Sequence, residues 1–544
     1  MNVRRSLLDA RAVGAGAVLA VVIALPAALV GEAAADGDDD PSGLVLLLVL
    51  VVLLAFVAGG WLTVVSVLVV DVGTSSVRAA VVRPDLAVDA ERSRPFLPDS
   101  PAPGLVEFEP AALAGAVLEV AREALAAGGP VDAVGVAAQR ASTVLWERST
   151  GRPVGPGIGW QDLRTVGDCL VLQASGIRLA PNVSATKLAH LLDQADPDRT
   201  ADLCFGTVDS WVVWALTEGR SHVTDLSNAA VTGMMRSDAS GWAPNVLEAL
   251  RIPERILPEV VDSTGVVAEA SALPGSPVIA GLAGDQQASL IGQGCVRPGL
   301  AKATFGTGGM LDLCLGPERP SFATRGPAGT FPIVAWRDAG GPVWGVEAVM
   351  LSAGTAVEWL RDDLGIIDTA AAAAEVAAAC DDTGDVWFVP ALLGLGTPDW
   401  DHGARGAVLG LTRGTGRPQL VRAVLEGVAH RGADLLESAE ADAGLTVPAL
   451  RIDGGMAANP VFTAALADAC ARPVEVSPVL EATTLGAAFL AGLAVGTWGG
   501  WDDVAAAWSP AAAVEPTRAV DRDRWREARS RAAAWIPDLS ALDF

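Results

Sequence analysis

Residues 281–294, GLAGDQQASLIGQG, place a carboxylate and two carboxamides in a row within a mostly small and aliphatic stretch. Asp285, Gln286 and Gln287 follow the strand-like run SPVIAGLAG and precede a helix-like segment. One interpretation is a simple turn, because Asp and Gly both favour turns. The other is a general base, because a partly desolvated carboxylate can accept a proton from a reacting hydroxyl. This stretch alone favours the turn, and only the rest of the chain can decide.

The segment DVGTSSVR, at residues 71–78, could bind phosphate in a turn between two strands. Backbone amides and the hydroxyls of Thr74, Ser75 and Ser76 can donate to phosphate oxygens. Asp71 could hold Mg²⁺ directly or through water. An ordinary hairpin turn explains the same residues, and this motif alone gives the two interpretations equal weight.

Two further glycine-rich segments lie in the second half of the chain. FGTGG at 305–309 allows close backbone approach to an anion, and Thr307 adds a hydroxyl donor. IDGGMAANP at 452–460 ends a strand with paired glycines, on which an adenine could lie with Asn459 at its polar edge. Asn459 and Pro460 also suit the N-cap and first position of a helix. The sequence contains no GxxxxGK[ST] loop and no GxGxxG after a strand, so P-loop and Rossmann folds lose support.

The charge of the chain argues against a nucleic-acid-binding surface. The net charge is −26, from 38 basic and 64 acidic residues, whereas nucleic acids need clustered positive charge. Nucleotide binding stays open, since backbone amides and a metal ion can hold phosphates without a basic patch. The six cysteines form no CxxC pair and the four histidines are dispersed, which argues against zinc and His-based metal centres.

Two apolar stretches, about Val13–Val30 and Leu44–Val65, precede the motifs. Each is close to the roughly 20 residues that cross a bilayer. The basic start and the acidic connector between the stretches predict a membrane hairpin within residues 13–65, with both ends in the cytoplasm. A signal peptide and an over-extended gene model are the alternatives. For the sequence as given, the hairpin is favoured.

From about Ser66 the chain alternates β-branched apolar runs with Ala-rich helical segments, which predicts an α/β fold. Strands are predicted at VSVLVVDVG, VRAAVVRP, VDAVGVAAQ and SPVIAGLAG. Helices are predicted at PAALAGAVLEVAREALAAGG, NVSATKLAHLLDQA and RPQLVRAVLEGVAHRGADLLESAEADAG. The first strand–turn–strand unit has an echo in AKATFGTGGMLDLCLG, so two similar halves could clasp a polyphosphate. The halves are predicted to divide near Gln293–Pro298, with a helical tail after about Trp501.

These blocks, in this order, resemble the FGGY carbohydrate kinases of the actin-like ATPase superfamily, most closely their glycerol kinase branch. The matching blocks run from about residue 67 to residue 498 and also include PGLVEFEP and EATTLGAAFLAGLAVGTW. The resemblance implies two actin-like (ribonuclease H-like) ATPase domains around a central cleft, preceded here by the membrane hairpin. The expected boundaries are 1–65 for the hairpin, 66–296 and 297–520 for the two domains, and 521–544 for a C-terminal tail.

The resemblance also implies a role for individual residues. Asp285 would be the catalytic base and would contact the polyol together with Arg140, Gln286 and Asn182. Asp71 would help to hold Mg²⁺. The nucleotide would be bound by Thr74, Ser75, Ser76, Arg78, Thr307, Gly354, Gly455 and Asn459.

Three positions depart from the family pattern, and they alter the polyol pocket. Ala141 stands where the family has Glu after the arginine, and Asn182 stands where it has Tyr. Met310 stands where the residue after the second Gly-Thr-Gly is usually aromatic. The loop before SPVIAG is also short relative to glycerol kinases with a sugar-phosphate regulatory site. We therefore expect an altered polyol pocket and no such regulation.

The resemblance implies ATP-dependent, Mg²⁺-assisted phosphorylation of a polyol hydroxyl, first of all glycerol to glycerol 3-phosphate. It also implies a homo-oligomer in the cytoplasm, anchored there if the hairpin is real. A kinase for another polyol or a ketose is the main alternative, because of the altered pocket. A non-catalytic, membrane-tethered ATP or sugar sensor is a third hypothesis. Asp285 and both phosphate hairpins count against the sensor, since a sensor needs no general base.

Overall fold

Strands form where apolar, β-branched residues run without interruption. The segment VLVVDV, at Val67–Val72, is buried at every position, as expected for a strand covered on both faces. The computed structural model describes residues 65–479 and 482–542. Apart from Val65, the predicted membrane hairpin lies outside these ranges. Within them, no helix combines the length and apolar character needed to cross a membrane.

The strands of the described residues are numbered β1 to β21 in chain order. They are Val67–Val72, Ser76–Val82, Val88–Pro95, Glu107–Phe108, Ala133–Ala138, Val144–Glu147, Gly157–Ile158, Leu203–Gly206, Val223–Asp225, Glu259–Val261, Thr264–Glu269, Val278–Gly284, Ala301–Phe305, Gly309–Gly316, Phe331–Asp338, Gly341–Met350, Trp387–Val389, Ala407–Leu409, Leu450–Asp453, Val474–Val476 and Ala512–Val514. The strands predicted from the sequence correspond to β1, β2, β5 and β12, and these predictions are confirmed.

The α-helices of the described residues are numbered α1 to α15. They are Pro110–Gly128, Val166–Ala174, Ser184–Ala195, Val208–Leu216, Leu226–Ala230, Pro244–Ala249, Asp285–Gly292, Gly354–Glu358, Ala372–Ala378, Arg417–Ala443, Pro460–Cys470, Ala482–Val495, Trp501–Ala506, Arg522–Ala532 and Pro537–Ser540. Short 3₁₀ turns lie at Glu254–Ile256 and Gly455–Ala458, and one π-helical turn at Trp359–Asp363 continues α8. The helices predicted from the sequence correspond to α1, α3 and α10, and these predictions are confirmed.

The first large sheet brings three predicted functional residues to the same end of its parallel strands. Its strand order is β11-β12-β5-β1-β2-β3. Strands β1 and β2 form an antiparallel hairpin, and β5 runs parallel to both β1 and β12. Parallel strands end at the same side of a sheet, which is where ligands bind in open α/β sheets. Asp71 lies near the end of β1, Arg140 just after β5, and Asp285 directly after β12.

The second large sheet repeats the arrangement of the first. Its strand order is β15-β16-β14-β13-β19-β20-β21. Strands β13 and β14 form an antiparallel hairpin, and β13 is parallel to β19, which is parallel to β20. The predicted echo of the first hairpin is therefore confirmed. Its turn, between Phe305 and Gly309, carries Thr307.

Helix α12 follows the second sheet along the chain but packs against the first sheet and α7. The two helices approach closely at glycines. A Cβ atom on Gly486 would collide with the carbonyl of Ala288, and one on Gly292 would collide with the carbonyl of Ala482. Helices α7 and α12, whose chain segments connect the two halves, therefore pack tightly against each other.

The C-terminal segment is more than the helical tail that the sequence predicts. Strand β21 pairs with β20 at the edge of the second sheet. Helix α14 buries Trp525 completely, and its indole Nε1 donates to Asp434 of α10 at 3.1 Å. The arginines of α14 suggest a solvated helix, but several of them pair with carboxylates of α10. The segment is therefore packed against the second half.

Candidate active site

Asp285 begins helix α7 directly after strand β12 ends at Gly284. The Gly284 amide donates to Ser227 Oγ at 3.0 Å, which fixes the strand end below the carboxylate. The Gln286 amide donates to Asp285 Oδ1 at 2.8 Å. Amides at a helix N-terminus favour a negative charge there. The structure thus places the predicted base at a strand-to-helix junction, with a side chain that is 27% exposed.

Arg140 joins Asp285 to a carboxylate of the second half. Its Nε lies 3.5 Å from Asp285 Oδ1, and its Nη2 lies 2.7 Å from Glu347 Oε2 on β16. These two nitrogens share one edge of the guanidinium, so the two carboxylates are neighbours. Burial raises the pKa of Asp285 although Arg140 opposes the shift. Burial likewise raises the pKa of Glu347 to about 7 against the attraction of Arg140.

The side chain of Gln286 accepts a hydrogen bond from Lys302, a residue that was not predicted from the sequence to belong to the site. Lys302 Nζ donates to Gln286 Oε1 at 2.6 Å and to Thr304 Oγ1 at 3.1 Å. The same ammonium lies 2.9 Å from Asp312 Oδ2 on the neighbouring strand β14. Both members of this ion pair are fully buried.

Lys187 connects the segments that are predicted to line the polyol pocket. Its Nζ donates to the carbonyls of Trp160 at 3.0 Å and Asn182 at 3.1 Å. Ser184 Oγ donates to the carbonyl of Ala141 at 3.0 Å, so the altered positions 141 and 182 belong to one wall. Burial lowers the pKa of Lys187 to about 7. Trp160 is a second residue that the sequence reasoning missed.

The first hairpin predicted to bind phosphate is a tight turn with one exposed hydroxyl at its tip. The Gly73 amide donates to the carbonyl of Ser76 at 3.0 Å. Thr74 Oγ1 accepts a hydrogen bond from Trp160 Nε1 at 3.1 Å, which links the hairpin to the segment that also carries the Lys187 contact. Ser75 is exposed at the tip. At the base of the turn, Arg78 Nη1 lies 3.9 Å from Asp71 Oδ2.

The second hairpin is held by the start of helix α8. The Gly354 amide donates to the carbonyl of Gly306 at 2.8 Å, and the Ala353 amide donates to the carbonyl of Thr307 at 2.9 Å. A Cβ atom on Gly354 would lie only 2.6 Å from the Gly306 carbonyl oxygen, so a larger residue would push the hairpin away. The structure therefore brings the predicted residues Thr307 and Gly354 together.

The predicted adenine-side segment begins with a glycine pair after β19. Gly454 has a φ of 87° and lies against the backbone of Phe305, beside the second hairpin. Gly455 is exposed. Asn459 Oδ1 accepts hydrogen bonds from the amides of Val461 at 3.0 Å and Phe462 at 3.2 Å. Asn459 is thus a helix N-cap whose Nδ2 is not used by the cap.

Comparison with known proteins decides the family. The FGGY family of carbohydrate kinases matches twice: its N-terminal domain over residues 66–292 and its C-terminal domain over residues 301–495. The chain belongs to this family. A glycerol kinase of Aromatoleum aromaticum is 40% identical over 494 residues, which cover 86% of this chain and 99% of that protein. A glycerol kinase of Trichlorobacter lovleyi is 41% identical over 496 residues, again 86% and 99% of the two chains.

A solved structure shows the same fold. The crystal structure of Plasmodium falciparum glycerol kinase with ADP matches with a TM-score of 0.79 and 26% identity, covering 88% of this chain and 99% of that one. The predictions of a two-domain, actin-like FGGY kinase and of an ATP-dependent carbohydrate kinase are confirmed.

FGGY kinases use ATP with Mg²⁺, as predicted for this chain. A Mg²⁺ ion that arrives on nucleotide phosphates keeps several waters and needs only one or two carboxylates from the protein. Asp71 fits this need, because its buried carboxylate lies at the end of β1 beside the phosphate hairpin. In the part of the chain that the structure describes, no group of three or more His, Cys, Asp or Glu forms a candidate metal cage.

The residues that sequence reasoning missed in this FGGY kinase carried a recognisable signal. Asp312 and Glu347 are single acidic residues inside the otherwise apolar strands GMLDLCLG and VWGVEAVM. A charge in a buried strand requires a partner. Lys302 is one of only two lysines in the chain, and the other, Lys187, ties the polyol wall.

Proposed function

We propose that this chain transfers the γ-phosphoryl group of ATP to a hydroxyl of glycerol and releases glycerol 3-phosphate and ADP. The proposal rests on the partly buried carboxylate of Asp285, whose charge is only partly neutralised by Arg140. Two neighbouring hydrogen-bond donors, Arg140 and Gln286, suit a polyol. The 40% identity to curated glycerol kinases over most of both chains supports glycerol as the substrate.

In this proposal Asp285 is the general base. The substrate hydroxyl loses its proton to the Asp285 carboxylate as its oxygen attacks the γ-phosphorus, and the bond to the ADP oxygen breaks. A base works best when its pKa approaches the working pH. Burial raises the pKa of Asp285, which moves this carboxylate in the useful direction. Arg140 and Gln286 orient the polyol, since positioning supplies much of the catalysis in phosphoryl transfer.

The nucleotide would lie along the two hairpins. Thr74, Ser75 and Ser76 in the first hairpin, with Arg78 behind them, offer hydroxyl, amide and cationic donors to phosphate oxygens. Thr307 and Gly354 would do the same from the second half. Mg²⁺ bound to the phosphates neutralises charge that develops during transfer, and Asp71 would help to hold it. The adenine-side contacts would come from Gly455 and Asn459.

A second candidate substrate, a longer polyol or a ketose, is favoured by one feature of the wall. The Ala141 side chain offers no acceptor, and the exposed Asn182 side chain is smaller than the tyrosine of the family pattern, which favours a larger substrate than glycerol. Glu347 limits this effect, because it supplies a carboxylate at the same guanidinium of Arg140. The pocket therefore keeps an acceptor although residue 141 has none.

The remaining parts of the proposal concern location and assembly. We propose domains at 66–296 and 297–520 with a tail at 521–544, a homo-oligomer, and a cytoplasmic site of action. We further propose that residues 13–65 form a hairpin that anchors the protein to the membrane. The native protein should then be released from membranes by detergent and not by high salt. An N-terminus mapped near residues 60–70 in native protein would instead support an over-extended gene model.

The function is tested with the full-length protein, ATP, Mg²⁺ and a panel of glycerol, erythritol, xylitol and xylulose. ADP formation is followed by a coupled assay, and the product is identified by ³¹P NMR. We expect glycerol 3-phosphate as the product with the highest kcat/KM. Faster turnover of a longer polyol or of the ketose would select the second candidate. ATP binding without turnover of any substrate would support a sensor.

A further inference from the structure

Three charged residues of the second half lie opposite one another on adjacent strands. Lys302 on β13 is paired in register with Asp312 on β14, and Asp312 is paired with Glu347 on β16. Directly opposite residues project from the same face of a sheet, so the three side chains form one row. The row continues on the other side of Lys302 with Arg451 and Glu475. Lys302 and Glu347 reach the first half, where Lys302 contacts Gln286 and Glu347 contacts Arg140.

The Lys302–Asp312 pair is costly at this place in the fold. Both side chains are fully buried, and the flanking Leu311 and Leu313 are fully buried as well. Asp312 Oδ1 has no hydrogen-bond partner among residues 65–479 and 482–542. A buried ion pair often stabilises a protein no better than apolar residues of similar volume. Stability therefore does not explain the pair, and its contact with Gln286 becomes informative.

That contact fixes which end of the Gln286 side chain faces Lys302. A carboxamide has an acceptor oxygen and a donor nitrogen, and its two ends can be exchanged by rotation. The Lys302 ammonium can only donate, so the atom 2.6 Å away must be the acceptor Oε1. The donor Nε2 is then directed away from Lys302. Gln286 is partly exposed beside Asp285, so this donor is available to a substrate.

We propose that Lys302, held in place by Asp312, is a positioning residue that presents Nε2 of Gln286 as a hydrogen-bond donor to the polyol. This inference rests on the proposed function. Asp285 accepts a proton, Gln286 donates, and the substrate oxygen at Gln286 must therefore be an acceptor such as a hydroxyl. Without Lys302 the carboxamide is free to rotate and offers donor and acceptor alternately. Polyol binding weakens, while ATP binding is unaffected.

The test replaces the whole pair, Lys302→Met with Asp312→Leu, in the full-length protein. Replacing both residues leaves no unpaired buried charge and preserves the net charge near Asp285, so folding and the base are spared. We expect KM for glycerol to rise roughly tenfold, the effect of about one lost hydrogen bond. We expect kcat to change by less than about threefold and KM for ATP to stay at the wild-type value. This is the pattern expected when the lost interaction binds the ground state and the transition state of one substrate equally well.

The matched control is Arg451→Met with Glu475→Leu. Arg451 on β19 is the cross-strand neighbour of Lys302 and forms a partly buried ion pair with Glu475 on β20, with Nε and Oε2 3.3 Å apart. The control therefore removes the adjacent ion pair of the same sheet and leaves Lys302, Asp312 and Gln286 in place. We expect this control to keep the wild-type KM for glycerol. A rise equal to that of the Lys302 and Asp312 replacement would show a general loosening of the sheet and would overturn the inference.

A double-mutant cycle with Gln286→Ala separates positioning from other effects. If Lys302 acts through Gln286, the pair replacement should not raise KM further once the carboxamide is gone. An undiminished rise in the Gln286→Ala background, or a wild-type KM in the pair variant alone, would overturn the inference. A wild-type enzyme that turns over no polyol fails at an earlier stage and contradicts the proposed function itself.

Discussion

Asp285 is a partly buried carboxylate with one guanidinium beside it, whereas Asp434 in the second half is buried and has three guanidinium groups around it. Asp285 has one guanidinium nearby, with Arg140 Nε 3.5 Å from its Oδ1. Asp434 accepts from Arg431 at 2.7 Å, Arg529 at 2.7 Å and Arg522 at 2.6 Å. Burial raises the pKa of Asp285. Burial opposes ionisation of Asp434 too, but the three arginines together lower its pKa to about 2.

The difference teaches how one fold uses a buried carboxylate for two purposes. A general base has to accept a proton, so its charge has to be incompletely neutralised. A structural carboxylate has to stay ionised, and several guanidinium groups ensure this. Asp285 should therefore control turnover with little effect on stability, and Asp434 should do the reverse.

The largest expected effect is that of Asp285→Asn on turnover. The carboxamide keeps the shape but cannot accept the hydroxyl proton, and general-base catalysis contributes typically about 10²–10⁴-fold. We expect kcat to fall by at least that factor, while Kd for ATP and the unfolding midpoint stay near those of the wild type. Steady-state kinetics and calorimetry measure these quantities. Turnover near that of the wild type would return Asp285 to the role of a turn residue.

Asp434→Asn should instead lower the free energy of unfolding. The variant leaves the guanidinium groups of Arg431, Arg522 and Arg529 facing one another without their shared anion, and breaking a buried pair costs about 3–5 kcal/mol. Urea unfolding should show this loss, whereas kcat of the folded protein should be unchanged. The control is Glu437→Gln, because Glu437 is about half exposed and pairs with Arg526, which is also about half exposed, as well as with Arg522. Surface pairs are worth about 0–1 kcal/mol. An equal loss in both variants would contradict the comparison.

The two carboxylates should also respond to pH in different ranges. The pKa of Asp285 is raised, so lowering the pH protonates the base early, and kcat should fall below an apparent pKa above the usual Asp value of about 3.9. The pKa of Asp434 is lowered to about 2, so its contribution to stability is present above pH ~4 and is lost only as the pH falls towards 2. Activity should therefore decline reversibly at pH values where this part of the fold remains intact.

Glu347 offers a way to sharpen the pH prediction. Glu347 and Asp285 contact the same edge of the Arg140 guanidinium. The fall of kcat at low pH, the acid limb of the pH profile, therefore reports the titration of both carboxylates together. Glu347→Gln removes a negative charge near Asp285, and the Arg140 guanidinium then pairs with Asp285 alone. Both effects favour the ionised base, so the acid limb should move to lower pH. A limb that does not move would show that Asp285 titrates independently of Glu347.

Local sequence patterns were enough to predict the parts of the site that are contiguous in the chain. The hairpins that carry Thr74 and Thr307 and the junction at Asp285 each combine turn residues with flanking apolar runs. The contacts of Lys302 with Gln286 and of Glu347 with Arg140 could not be predicted. They depend on which strands become neighbours and on how the two halves meet, and no local pattern encodes either.

The same limit applies to the region of Asp434. The sequence of α14 is rich in arginine and suggests an exposed helix, because arginine is rarely buried without a partner. Its partners lie on α10, far away in the chain, and the packing of α14 with its buried Trp525 against α10 brings them together. Buried charges were thus the least predictable feature of both regions.

The smallest expected effect concerns the polyol wall beside Asp285. Ala141 has a φ of 60°, a strained conformation for Ala and Glu alike, so Ala141→Glu adds a carboxylate without a new backbone cost. Asn182→Tyr adds a larger wall at the exposed position 182. The double variant should bind glycerol more tightly and exclude longer polyols, lowering KM for glycerol by a few-fold, on the order of one hydrogen bond. The panel of substrates measures both changes.

Glu347 decides how large this last effect can be. A carboxylate at position 141 would be the third near Arg140, after Asp285 and Glu347, and like charges oppose one another. We therefore expect the gain from Ala141→Glu to be larger in a Glu347→Gln background than in the wild type, whereas Asn182→Tyr should act equally in both. If Ala141→Glu gains nothing in either background, the missing acceptor at position 141 does not limit glycerol binding, and the carboxylates around Arg140 already suffice.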